Sequence, residues 1–202
     1  MTDKIINNEI NLHLPEKKPK FSKNTIFIIL AIFIAAIVLS NMTGETTMTD
    51  NKKVKFETNH GDIVIELYND MPITVGNFEK LVNNGFYNGV IFHRVIDGFM
   101  LQGGDPEGTG MGGPGYNIED EFTHEGGNNN KRGTISMANA GPNTGGSQFF
   151  INTIDNNFLD TKHPAFGEVI EGMETVDKIS KIATDSGDRP LEEVKIIKAS
   201  IL

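Results

Sequence analysis

The stretch FHRVIDGFMLQGGD, Phe92 to Asp105, sets one arginine, Arg94, among apolar residues and closes on Gly-Gly-Asp. It belongs to a chain of short β-like runs, at 90–102, 133–138 and 147–152, separated by Gly, Pro and Asn, the residues that make turns. Upstream, Val54 to Glu57 and Ile63 to Leu67 alternate apolar and polar positions as strands with one buried face do, and Asn59 to Asp62 supplies the turn between them. Pro72 opens a helix whose apolar residues Val75, Phe78, Leu81 and Val82 recur at helical spacing, and Gly85 ends it. A strand follows at 165–170, then a second helix with Met173, Val176 and Ile179, then an alternating strand from Val194 to Ile201. Many strands and two separate helices predict a closed or nearly closed β-barrel with a helix over each open end.

The 202 residues provide for one ordinary domain and an appendage, and the 22 glycines fit a turn-rich β fold. With no cysteine, disulfides, thiol nucleophiles and thiolate-bound metals are excluded together. Residues 1–43 carry five lysines against three acids, whereas the remainder carries 13 basic and 24 acidic side chains. A domain that acidic repels phosphate backbones, so nucleic acid is not an expected partner.

The appendage is the N-terminal segment. Ile26 to Leu39 is 14 residues without a polar side chain, and Thr25, Ser40 and Met42 extend it to the short end of a membrane-spanning length. Lys17, Lys18, Lys20 and Lys23 precede it, and Glu45 and Asp50 follow. The positive-inside rule then predicts a cytoplasmic tail over 1–24, a single transmembrane helix over 25–42, a flexible linker over 43–52 and an extracytoplasmic domain over 53–202. A cleaved signal peptide, which would release a secreted domain, fits the short apolar length, but no A-x-A site follows it. Either reading exports the domain.

Two glycine patterns are decoys. Gly108-x-Gly110-x-x-Gly113 satisfies a dinucleotide motif, but Pro114 and Gly115 stand where a helix must begin. Gly141 to Ser147 resembles a phosphate loop with serine in place of the lysine. The histidines at 13, 60, 93, 124 and 163 offer no pair at ligand spacing, so no metal site is expected.

What remains is one ordered constellation: Phe92-His93-Arg94, Gly98 to Asp105, Ser136 to Pro142, Gly145 to Phe150, then Phe158-Leu159-Asp160 and His163. In order and approximate spacing these blocks resemble the signature of the cyclophilin family, from about Lys53 to Leu202. The resemblance implies an eight-stranded antiparallel β-barrel capped by two α-helices, with a proline-binding groove on its outer face. It implies peptidyl-prolyl cis-trans isomerase activity on proline-containing polypeptides, with Arg94 as the catalytic arginine. Phe99, Met100, Phe150 and Leu159 would line the proline pocket and His163 would border it, while Gln102, Ala138, Asn139 and Gln148 would hold the substrate backbone. No cofactor is implied, and a monomer is the expected state. Many members carry tryptophan at the position of Phe158, and this chain has none. Isomerase activity is expected to survive the change, but the phenyl ring has no N–H to donate, which weakens the expectation of strong cyclosporin binding.

The residue types agree with that chemistry. Rotation about an X-Pro amide crosses a barrier of ~18–20 kcal/mol because the bond has partial double-bond character. In the twisted amide resonance is lost and the prolyl nitrogen regains a lone pair. A guanidinium can donate to that nitrogen, favouring the twisted form over both ground states. A non-catalytic peptide-binding module could use the same groove, but would have no need of the arginine. On strand alternation Phe149 should face the core, opposite Phe150. His93 is expected to be a structural hydrogen-bonding residue.

Overall fold

The computed structural model describes residues 51–202. The expected tail, transmembrane helix and most of the linker lie outside the described residues. Among the described residues no helix is long and apolar enough to cross a membrane.

Eight strands, β1 (Lys53–Thr58), β2 (Gly61–Leu67), β3 (Arg94–Ile96), β4 (Met100–Gly103), β5 (Thr134–Met137), β6 (Phe149–Asn152), β7 (Ala165–Glu171) and β8 (Ile196–Ile201), form one sheet. Their order is β3-β4-β6-β5-β7-β2-β1-β8, and every named pairing is antiparallel. The residues before β3 meet the start of β8: Ile91 bridges Lys195, Phe92 N–H donates to the Val194 carbonyl at 2.9 Å, and Ile196 N–H donates to Val90 at 2.9 Å. The two end strands of the order are thus joined through a short seam rather than a full ladder.

Helix α1 (Pro72–Asn83) begins at Pro72 as expected, because proline at a first helical position gives up an N–H that has no partner there anyway. Its next two amides, of Ile73 and Thr74, donate to the buried carboxylate of Glu121 at 3.2 and 2.8 Å. That long-range cap left no local mark in the sequence. Helix α2 (Met173–Ser180) follows Gly172, whose φ of 87° suits glycine and whose added Cβ would overlap the Asp62 carbonyl.

The sheet and both helices share one core. Phe56, Phe78, Tyr87, Phe92, Phe149 and Phe166 are all buried. Phe149 stacks on Phe56 at 5.4 Å and meets Phe78 edge-on at 5.8 Å, while Phe78 lies 5.0 Å from Phe166. From α2, Val176 and Ile179 enter the same cluster. Tyr87 brings a hydroxyl into this apolar space and satisfies it on the Ser147 carbonyl at 3.1 Å.

The β-like run at 90–102 is a hairpin. Gly98, at φ 68°, reverses the chain between β3 and β4, a conformation that costs residues with a Cβ. The break in the pattern was Asp97-Gly98, which an apolar run on both sides had masked. Replacing Phe149 by alanine should remove the centre of the aromatic cluster and cost about 3–5 kcal/mol in urea unfolding. A loss below about 1 kcal/mol would show that the core does not depend on it.

Candidate active site

The pleat and the register build the site. In β3–β4, Arg94 faces Gln102 and Ile96 faces Met100; in β4–β6, Gln102 faces Phe150; in β5–β6, Phe150 faces Ser136. Arg94, Gln102, Phe150 and Ser136 therefore form a row across four strands. Their sequence neighbours Val95, Leu101, Phe149 and Ile151 belong to the core cluster. Successive side chains point to opposite faces, so the residues between core positions reach the other face of the sheet.

Nine of the eleven positions singled out from sequence line one cavity of about 180 Å³: Arg94, Phe99, Met100, Gln102, Ala138, Asn139, Phe150, Leu159 and His163. Met100 and Phe150 are almost wholly buried in its wall. The other two lie beside it. Phe158 is 69% exposed and stacks on Phe99 at 6.0 Å, so it extends the aromatic surface outward rather than lining the cavity. Gln148 accepts from Gln102 Nε2 at 3.0 Å and donates to the Gly110 and Gly112 carbonyls at 3.1 and 2.9 Å. Its amide is committed to holding Gln102 and the loop after β4. An adjoining recess of about 540 Å³ shares Gln102, Ala138 and Asn139 with the cavity, and the Gly110–Asn117 segment forms much of its wall.

That loop, the dinucleotide decoy, wraps around a single carboxylate. Buried Asp105 accepts N–H groups from Glu107, Thr109, Gly110 and Gly112 at 2.6–3.1 Å, and these bonds hold its pKa below the usual carboxylate value although burial acts to raise it.

Buried polar groups brace the segments that carry Phe99 and Leu159. Asn156 Nδ2 and Thr153 N–H both donate to the Phe99 carbonyl, at 2.9 and 3.0 Å. Asn130 donates through its backbone and side chain to Asp160 Oδ1, at 2.7 and 3.1 Å, and accepts from Ser136 Oγ at 2.7 Å. Asn152 joins the set through Thr134 Oγ1 and Asn156. These asparagines were missed from sequence, where they read as turn residues; their only signal was density, at 128–130 and 152–157.

His163 Nδ1 lies 3.1 Å from the Met137 carbonyl, which can only accept, so the proton sits on Nδ1 and Nε2 is left as an acceptor. Its ring meets Phe150 edge-on at 5.4 Å. His93 departs from expectation. It is buried, yet neither ring nitrogen finds a hydrogen-bond partner among the described residues, so it packs rather than bonds. Arg94 also has a partner that sequence did not indicate: its Nε lies 3.2 Å from Asp188 Oδ2.

Comparison with known proteins agrees with this fold. A family model described as cyclophilin type peptidyl-prolyl cis-trans isomerase/CLD matches residues 53–201. The chain belongs to that family. It is therefore an isomerase of X-Pro bonds. The chain is 48% identical over 153 residues to peptidyl-prolyl cis-trans isomerase-like 1 of Aspergillus fumigatus, covering 74% of this chain and 94% of that protein. It is 49% identical over 153 residues to peptidyl-prolyl cis-trans isomerase ppi1 of Schizosaccharomyces pombe, covering 74% and 98%. A crystal structure of a Cryptosporidium parvum cyclophilin-type isomerase aligns with a TM-score of 0.71 at 38% identity, over 75% of this chain and 98% of that one. The same protein solved in the presence of the dipeptide Ala-Pro aligns with a TM-score of 0.70, over 74% and 98%. Those relatives are matched over nearly their whole length, and in this chain Thr49–Leu202 forms a compact unit of its own.

Burial lowers the pKa of both His93 and His163; the nearby Asp105 charge opposes this for His93, and the bond to Met137 opposes it for His163. Below the ordinary histidine value near 6.5 the unfolded chain then binds more protons than the folded one. The stability these rings contribute is fully present above that value and is lost as pH falls toward the folded-state values. In an NMR titration of the imidazole nitrogens, both histidines should show midpoints below those of unfolded peptides, and the urea midpoint should fall through the same window. A midpoint for His163 at or above the peptide value would contradict its neutral, Nδ1-protonated form.

Proposed function

We propose that the domain accelerates X-Pro rotation in exported or surface polypeptides as they fold, with Arg94 stabilising the twisted amide. The observation that carries this reading is the single cavity in which Arg94 stands beside an apolar cup of Phe99, Met100, Phe150 and Leu159. The cup suits a pyrrolidine ring, which it would hold while the preceding carbonyl side turns. Gln102 is fixed by its bond to Gln148, and Asn139 Nδ2 donates to the Lys162 carbonyl at 2.8 Å, which holds the Asn139 segment whose backbone would pair with substrate. These groups supply a fixed frame for rotation.

No proton moves in this scheme. Lowering a barrier of ~18–20 kcal/mol by about 8 kcal/mol accelerates conversion about a million-fold, from tens of seconds to below a millisecond. One directed bond to the prolyl nitrogen, which forms only as the amide twists, contributes to the twisted state and not to the planar ones. The exported setting rests on the sequence alone: an apolar segment at 25–42, lysines before it and acids after it.

Cis-to-trans conversion of a proline tetrapeptide by the fragment 51–202 tests the chemistry. Arg94→Ala should cut kcat/KM about a hundredfold or more, by analogy with loss of other transition-state donors. An unchanged rate in that variant would reject the arginine mechanism while leaving the isomerase activity standing. Topology is tested separately: protease added outside intact cells, or to spheroplasts where there is an outer envelope, should degrade the domain and spare residues 1–24. Protection of the domain in both preparations would reverse the proposed orientation.

A further inference from the structure

Arg94 borders two spaces. Besides the proline cavity it lines a second recess of about 370 Å³, with His93, Thr109, Asp185 and Arg189 among its walls. The guanidinium stands on the boundary between them, and on the reading given above only the first would hold the prolyl nitrogen. Asp188 pairs with the guanidinium at that boundary. Its Oδ2 takes the Nε–H of Arg94 at 3.2 Å. A guanidinium has five N–H donors, so this bond engages the one nearest the stem and leaves the four on Nη1 and Nη2.

Asp188 is itself held in place. It is one of two non-glycine residues with positive φ among the described residues, at 64°, a conformation that aspartate and asparagine tolerate better than most side chains. Its carbonyl accepts Val95 N–H at 2.8 Å, tying the loop to β3 one residue from Arg94. The loop is braced from within by Asp185 Oδ1, which accepts from Gly187 and Arg189 at 2.8 and 3.0 Å, and by Arg189 Nη1 on the Gly108 carbonyl at 2.7 Å. The Arg94 and Asp188 side chains are 42% and 40% exposed, so the pair contributes little to stability. A rigid, backbone-tethered carboxylate on the stem side of the guanidinium orients it instead.

We propose that Asp188 is a positioning residue that fixes the Arg94 guanidinium at the edge of the proline cavity. This rests on the reading of Arg94 given above and adds a residue to it. Asp188→Asn is the informative variant, because asparagine keeps the left-handed backbone and the shape while removing the charge. In tetrapeptide isomerisation it should lower kcat about three- to fivefold with KM unchanged, the size expected for loss of one exposed charge-assisted contact. In an Arg94→Ala background, assayed at enzyme concentrations high enough to read the residual rate, the same change should have no further effect. A wild-type kcat in Asp188→Asn, or an equal loss with and without Arg94, would overturn the proposal. Full activity in Arg94→Ala alone would instead remove the arginine mechanism on which it rests. Should the asparagine variant not fold, NMR of the wild-type protein decides: the Arg94 Nε–H should exchange with water more slowly than that of free arginine, and exchange as fast as the free amino acid would reject the pairing.

Discussion

The site depends on one constraint, the register in which β3, β4, β6 and β5 pair. Because side chains alternate at a period of two, a slip of one residue in β4 would exchange Gln102 for Leu101 or Gly103 and put Met100 into the core. The register is held tightly where β4 ends. Gly103 faces Phe149, and a Cβ on Gly104, at φ 88°, would overlap the Ser147 carbonyl. That close approach lets the Ser147 hydroxyl donate to the Gly104 carbonyl at 2.7 Å and brings Gln148 within reach of Gln102. The aromatic core strengthens the same choice. Phe149 can occupy the ring cluster only if Phe150 faces the cavity, so core packing and site geometry are fixed by the same strand.

The parts of this arrangement legible in the sequence are those written in short blocks. Strands at Val54–Glu57 and Ile63–Leu67, the proline-started helix and the Phe149/Phe150 pair could each be read within a few residues, and the structure has them in place, although burial alternates only in the first strand and Ile63, Val64 and Ile65 are all buried in the second. The cavity-lining positions were reached only by resemblance, since nothing local relates Arg94 to Asn139 or Leu159. Where reading failed, the partner was distant or the residue type ambiguous. Glu121 caps a helix nearly fifty positions earlier, and Asp188 meets Arg94 across ninety-four. Asn130, Asn152 and Asn156 looked like turn formers because that is what exposed asparagine usually is. The error at His93 was of a similar kind: burial of an imidazole usually brings a hydrogen bond, and here it does not.

The asparagine network explains how the apolar cup of Phe99, Met100, Phe150 and Leu159 can keep its shape. An entirely apolar support would tolerate several packings of Phe99 and Leu159, since hydrophobic contact is non-directional. Buried amides are less permissive, because each unpaired donor or acceptor costs about 1–3 kcal/mol. Asn156 is 1% exposed and has its side-chain N–H groups on Phe99 and Asn152; Asn130 is fully buried and meets Asp160 and Ser136. Shifting either wall of the cavity would break several of these bonds together. The polar set thus converts a small rearrangement of the pocket into a large loss, which is what a rigid frame for bond rotation requires.

A site of this kind has a consequence for how acid should act on it. If Arg94 donates to the prolyl nitrogen and amides hold the substrate, no group in the scheme exchanges a proton with the peptide. Guanidinium and amide groups do not titrate in the range where proteins work. The titratable side chain at the cavity is His163, whose neutral form is favoured by burial. Acid therefore reaches the reaction through stability and shape. Protonating His163 charges a partly buried ring, and protonating His93 places a charge in a buried site without a hydrogen-bond partner. Both penalties fall on the folded state. Loss of rate in acid should then follow loss of structure rather than the titration of a catalytic group. On the proposed reading, the chemistry of this cyclophilin is set by where its strands hold an arginine and an apolar cup, and its pH range by how well its buried polar groups tolerate charge.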